Sequence, residues 1–357
     1  MEPSREEIYK ALEQVIDPEL RRSVIELDMV RDVSIRGGDV AVTIALTVPG
    51  CPLRSSFEQQ VAEALAPVAG VERVSLDFDV MSPEEKTALT TKLRGGVTER
   101  TQGISLDRNT RVIAVASGKG GVGKSSLTVN LAAAFSALGQ RVGILDADVY
   151  GHSIPHLLGI RQRPVVVDRM IVPPVRGGMK LMSIGFFLED NSPVMWRGPM
   201  LHRALEQFLS DVHWGELDTL VVDMPPGTGD VAISLGQLLP RAETIVVTTP
   251  QPAAQEVASR AGVMAQKTGM KLVGVVENMS GDIFGSGGGE RLAAELGIPL
   301  LGRVSLDPLV RECGDAGEPL MSAAPDSQSA HELRQISDQL LTLDRGTIVK
   351  PLTLVSR

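Results

Sequence analysis

The hydrophobic pattern divides the chain into two regimes. In the first, Ile8, Leu12 and Val15 recur at helical spacing over residues 4–16, and Asp17-Pro18 ends that helix, because a residue before proline is driven out of the α region. A strand is predicted over 29–36, and Gly37-Gly38 supplies a hairpin turn. The return strand, VAVTIALTV from Val40 to Val48, is rich in β-branched residues and stops at PGCP, Pro49 to Pro52. Residues 53–66 read as a helix and 73–80 as a last strand, which makes 1–80 a small α+β domain. Residues 81–110 are polar. Pro83 to Arg94 has helical character, and the Gly-rich remainder reads as a linker.

From Arg111 to the C-terminus at Arg357 the pattern changes. Short, continuous apolar runs at 111–117, 141–148, 218–225, 243–250, 271–279 and 299–304 alternate with stretches of helical length. Such runs suit strands buried on both faces of a parallel sheet. Helical crossovers between them imply right-handed connections and an α/β, doubly wound, mostly parallel sheet. Residues 325–344 predict the last helix.

Composition narrows the functional classes. The 357 residues carry a formal net charge of -9. This weighs against nonspecific nucleic-acid binding, which needs clustered cations to neutralise phosphates. No apolar run approaches a membrane span, and the charged N-terminus MEPSREEIYK is unlike a signal peptide. Two cysteines, Cys51 and Cys313, cannot form a disulfide scaffold, so a cytoplasmic protein is expected.

The densest chemistry is SGKGGVGKSS, Ser117 to Ser126, between a predicted strand and a predicted helix. It satisfies the phosphate-loop pattern G-x-x-x-x-G-K-[ST] from Gly118 to Ser125. Gly120, Gly121 and Gly123 let the backbone curl so that N–H groups face phosphate oxygens, while the helix start adds positive potential. Lys124 is placed to neutralise the β- and γ-phosphates, and Ser125 to ligate Mg²⁺. Gly118, Lys119, Val122 and Ser126 complete the expected ATP-binding loop. Asp146 and Asp148 end the second strand of this region and Asp223 a later one, where ligands sit in doubly wound sheets. Asp146 and Asp223 are expected near Mg²⁺, and Asp148 to orient the attacking water. Asp230 reads more simply as a helix N-cap.

KGGVGKS together with DADVYG and DMPPGTGD resembles the deviant Walker A ATPases, the group of MinD, ParA and the nitrogenase iron protein. The resemblance implies that the early lysine, Lys119, reaches across a homodimer to the partner's phosphates. Physically it would place cationic charge where phosphoryl transfer accumulates negative charge. SIPHLLG, PVMWRGPM, LVVDMPPGTGD, TTPQPAAQEVA, VVENMS, FGSGGGERLA and LDPLVRECGDAGEPL are similar to the Mrp/ApbC branch of iron–sulfur cluster carriers. DPEL at 17–20 and LTVPGCPL at 46–53 resemble the metal–sulfur cluster assembly domain that precedes the ATPase in that branch. The similarity covers nearly the whole chain. It implies an ATP-hydrolysing carrier that passes clusters to apo iron–sulfur proteins or works with assembly factors, and an adenine contact for Asn278, whose amide can both donate and accept.

Carriers of this branch usually have a C-x-x-C pair just after ENMS. Here Gly281, Asp282 and Ile283 lead directly into Phe284 and GSGGG. Cys51 is the leading alternative thiol and Cys313 the second. Two other readings therefore stand beside the carrier: a MinD/ParA-like ATP-switched organiser and a cluster-free regulator. His152 and His156 are four apart, but Pro155 interrupts any metal-binding helix. GSGGGE lacks a lysine and reads as a helix start at Glu290. Trp196 and Arg197 are candidates for a partner contact or for local packing.

Overall fold

A computed structural model describes residues 2–48, 53–93, 106–107, 109–149, 151–188 and 198–343. The N-terminal unit begins with α1 (Arg5–Leu12), capped by Ser4 and Glu7, which satisfy each other's backbone N–H groups. Strands β1 (Val30–Arg36) and β2 (Asp39–Leu46) form the expected antiparallel hairpin. Helix α2 (Arg54–Leu65) crosses over to β3 (Arg73–Val80), which pairs parallel with β2. Ile8, Leu12, Val42, Ile44, Phe57, Val61 and Leu65 fill this unit's core. Helix α3 (Pro83–Leu93) adds Leu89 and Leu93 to the same core. The polar stretch after β3 thus starts as a packed helix, and its Gly-rich remainder at 94–105 lies outside the described residues.

The second unit is α/β with a large, mostly parallel sheet. Its elements run β4 (Arg111–Ser117), α4 (Lys124–Ala137), β5 (Val142–Asp146), α5 (Ile154–Leu157), β6 (Val165–Val167), β7 (Met170–Val172), β8 (Val175–Arg176) and β9 (Met179–Ser183). Then come α6 (Gly198–Ser210), β10 (Thr219–Asp223), α7 (Asp230–Leu238), β11 (Glu243–Thr248), α8 (Pro252–Lys267), β12 (Lys271–Ser280), α9 (Gly288–Leu296) and β13 (Leu300–Ser305). Three helices close the described chain, α10 (Pro308–Ala316), α11 (Leu320–Ala323) and α12 (Gln328–Thr342). The sheet order is β13-β12-β11-β4-β10-β5-β9-β8, and only the edge pair β8–β9 is antiparallel. Buried apolar runs on β4, β5, β10, β11 and β12 are flanked by helices, as continuous hydrophobic strands require.

Four strands between 165 and 183 escape the hydrophobic pattern. They are two to five residues long, too short to display a period, and Lys180 interrupts the run in β9. Hairpin β6–β7 does not join the large sheet. Its Val167, Met170 and Val172 pack into the core of the N-terminal unit instead. Among the described residues, no helix is long and apolar enough to cross a membrane.

Candidate nucleotide site

The site forms where central strand β4 turns into α4. Gly121 and Gly123 both have φ of +80°, a left-handed conformation open to glycine at little cost. Gly118 lies against α8: a Cβ there would sit 2.1 Å from the carbonyl carbon of Val257. Nothing lies within 4 Å of a Cβ built on Gly120. Gly118→Ala is therefore expected to destabilise the fold by about 1–3 kcal/mol or more through overpacking, whereas Gly120→Ala leaves the melting temperature nearly unchanged. Thermal denaturation of the two variants checks this contrast.

The parallel register sets Asp223 of β10 beside Asp146 of β5. Both carboxylates are fully buried at the ends of their strands. Lys124, the first residue of α4, places Nζ 2.7 Å from Asp223 Oδ1 and 3.4 Å from Asp148 Oδ2. Ser125 Oγ donates to Asp223 Oδ2 at 2.6 Å, and Thr128 Oγ1 donates to Asp223 Oδ1 at 2.9 Å. Asp146 Oδ1 accepts the N–H of Asp148 at 3.2 Å, and Asp146 Oδ2 accepts the Ser183 hydroxyl at 2.8 Å. Gly151 N–H donates to Asp148 Oδ1 at 3.1 Å.

Three carboxylates thus face one ammonium. Burial, reinforced by the charge of Asp223, pushes the Asp146 carboxyl up to about 8. Burial also raises Asp223, opposed by Lys124, Ser125 and Thr128. Burial disfavours the charged form of both carboxyls, and a cation would restore it; clustered hard oxygen donors of this kind suit a small divalent cation, so Ser125, Asp223 and Asp146 fit Mg²⁺.

The remaining sequence candidates fall into distinct places. Lys119 is exposed on the rim of the loop. Asn278, near the end of β12, donates Nδ2 to the Val122 carbonyl at 2.8 Å and so braces the phosphate loop. Asp230 is not the N-cap of α7: Gly229 holds that position and Asp230 lies in the first turn. His152 Nδ1 lies 3.4 Å from the Val149 carbonyl, and among the described residues no group of three His, Cys, Asp or Glu side chains could hold a metal ion. Cys51, Trp196 and Arg197 lie outside the described residues. Cys313 sits half-buried on α10, where desolvation and the nearby Glu312, Glu318 and Asp307 raise its thiol pKa and disfavour the thiolate.

The glycine run 285–289 is explained by an internal anion. Glu277, fully buried, accepts Ser280 Oγ at 2.5 Å, Gly287 N–H at 3.2 Å and Gly289 N–H at 2.6 Å. The backbone donors that could attract a phosphate are already directed at this carboxylate. Three supporting residues escaped the sequence reading. Thr128 was discoverable, since it lies one helical turn after Lys124 and shares its face. Ser183 carries no local signal, because Asp146 is 37 residues away in sequence, and for Glu277 only Ser280 is near, its backbone donors Gly287 and Gly289 being 10 and 12 residues away.

A family model described as the NUBPL iron-transfer P-loop NTPase matches residues 108–341, and one for iron–sulfur cluster assembly proteins matches residues 5–76. The iron–sulfur cluster carrier protein of Mycobacterium leprae is 51% identical over 355 residues, covering 95% of this chain and 93% of that protein. That of Bacillus subtilis is 44% identical over 313 residues, covering 84% and 88%. Among solved structures, an ADP-bound nucleotide-binding protein from Archaeoglobus fulgidus has 34% identity and a TM-score of 0.51, covering 61% of this chain and 93% of that one. The septum site-determining protein MinD of Pyrococcus horikoshii, complexed with Mg-ADP, has a TM-score of 0.53 at 22% identity, covering 66% and 97%, and speaks to the fold alone.

Proposed function

This chain belongs to the NUBPL iron-transfer P-loop NTPase family, and from that premise we infer that it is an iron–sulfur cluster carrier whose cargo handling is timed by ATP. The observation that carries the reading is the pairing of near-full-length similarity to carriers with a buried Lys124–Asp223–Asp146 centre under a phosphate loop. Lys124 and the loop N–H groups bind the β- and γ-phosphates. Ser125, Asp223 and Asp146 would hold Mg²⁺, and a cation there would offset the negative charge of the phosphates. Asp148 orients the attacking water and accepts hydrogen bonds from it. Asn278 meets the adenine through its amide oxygen while Nδ2 stays on Val122. Lys119, exposed on the rim, serves the phosphates of a second copy, so the working unit is a homodimer.

The cluster is cargo, and soft thiolates are its normal ligands, four to a cluster. One chain has two cysteines, so a homodimer that used Cys51 alone would offer two thiolates and leave the remaining iron positions to other donors. The raised thiol of Cys313 argues against that position, which leaves Cys51, following β2 in the N-terminal unit, as the principal cargo thiol. Recipients are apo iron–sulfur proteins, reached directly or through assembly factors. The low cysteine count supports a reducing, cytoplasmic setting. Anaerobic loading with iron and sulfide tests the assignment. Cys51→Ser should reduce bound iron and sulfide to background and Cys313→Ser should leave them near the parental level. Unimpaired loading of Cys51→Ser would refute the role given to that thiol.

A further inference from the structure

One stretch of chain joins the nucleotide site to the N-terminal unit and returns. It leaves β5 at Asp146, passes Asp148 and α5, projects as hairpin β6–β7, and comes back as β9. The last residue of β9, Ser183, donates to Asp146 at 2.8 Å. Both ends of the excursion therefore meet at the Asp146 carboxylate.

Its middle is held by the N-terminal unit. Val167, Met170 and Val172 are each no more than 2% exposed and share a core with Leu89 and Leu93 of α3. A hairpin with three-residue strands has no stability of its own and takes its shape from what covers it. Thr90 Oγ1 donates to the Val167 carbonyl at 3.4 Å. The Arg21 guanidinium donates to the carbonyl of Gly178, in the turn before β9. Lys180, the second residue of β9, is buried, with Nζ donating to the His213 carbonyl at 2.9 Å. Its charge faces Asp17 and Glu19 of the N-terminal unit, with Arg21 nearby. Arg21 in turn faces Arg141 and Asp218. The hairpin is also tied to the end of α6, since Ile171 N–H donates to the Asp211 carbonyl and His213 N–H to the Ile171 carbonyl.

We propose that the excursion from Ala147 to Ser183 couples occupancy of the nucleotide site to the docking of the N-terminal unit. Nucleotide repositions Asp146 and Asp148; β9 and the hairpin carry that change into the core shared with α3. By thermodynamic reciprocity, docking of the N-terminal unit alters nucleotide affinity by the same factor. The consequence is regulatory: the unit that bears Cys51 is presented or withdrawn according to the nucleotide bound. This inference rests on the nucleotide-site reading above.

Hydrogen exchange on the full chain with and without Mg-ADP, together with ADP titration of Arg21→Gly and Met170→Ser, tests the coupling. Arg21 has a φ of +56°, so glycine keeps that backbone while removing the guanidinium, and a stably folded comparison is available even if Met170→Ser fails to fold. Mg-ADP is expected to slow exchange in α3 and the hairpin as well as in the phosphate loop, and Arg21→Gly to change ADP affinity about fivefold or more. Protection confined to the phosphate loop, with parental affinity in Arg21→Gly, would overturn the coupling alone. A parental chain that binds no ADP would overturn the nucleotide site and the coupling together.

Discussion

Lys124→Ala is expected to abolish nucleotide binding. Its ammonium is buried among Asp223 and Asp148, at 2.7 and 3.4 Å, and is the charge that α4 presents to a bound phosphate. A hydrogen bond to a charged group contributes about 1.5–3 kcal/mol, and Lys124 would make more than one to a polyphosphate. Its loss also leaves Asp146, Asp148 and Asp223 facing the incoming anion without the Lys124 counter-charge. Affinity for ATP and ADP should therefore fall by about a hundredfold or more. Stability should fall as well, because removing one partner of a buried pair costs about 3–5 kcal/mol when the remaining charge stays unpaired. Protonation of Asp223, whose carboxyl burial already pushes up against the pull of Lys124, will offset part of that loss. Titration calorimetry on a variant whose folding is checked by circular dichroism separates the two effects. Tight ADP binding by Lys124→Ala would contradict the phosphate-loop assignment.

Lys119→Ala is expected to behave differently. Lys119 is exposed on the rim, outside the Lys124–carboxylate centre, so a single chain should bind nucleotide within a few-fold of the parental affinity. Turnover should fall by about a hundredfold or more, the usual effect of deleting one group that stabilises transition-state charge. Complementation distinguishes action in trans from action within one chain. Lys124→Ala supplies Lys119 but binds no nucleotide, and Lys119→Ala binds nucleotide but lacks that lysine. Neither should turn over ATP alone, whereas their mixture should regain activity through mixed dimers. A mixture as inactive as its components would refute the action across the dimer.

The legible parts of the molecule were those whose cause is local. Six strands of the large sheet announce themselves as uninterrupted apolar runs, because both faces are covered by helices. The phosphate loop is legible because its glycines, Lys124 and Ser125 are contiguous and meet a requirement of the backbone itself. What stayed hidden depends on distant partners. Lys180 looks like a surface residue until β9 places it against Asp17 and Glu19. Hairpin β6–β7 has strands too short to show a period, and its apolar residues complete a core begun more than 70 residues earlier. GSGGG could be recognised as lacking a lysine, but not as the cradle of Glu277, since the carboxylate arrives from the strand before it. The segment after ENMS, where the carrier resemblance implies a C-x-x-C pair, is here a tight loop closed by reciprocal Gly281–Gly285 backbone bonds, with Ile283 exposed at its tip.

Cluster transfer tests the central claim most directly. The purified chain would be loaded anaerobically with iron and sulfide, freed of excess reagents, and mixed with an apo-enzyme that needs a [4Fe–4S] cluster for activity. A carrier should gain visible absorbance with bound iron and sulfide, then restore the recipient's activity as its own absorbance declines. A protein that binds ATP normally yet acquires no such absorbance and activates no recipient would contradict the account.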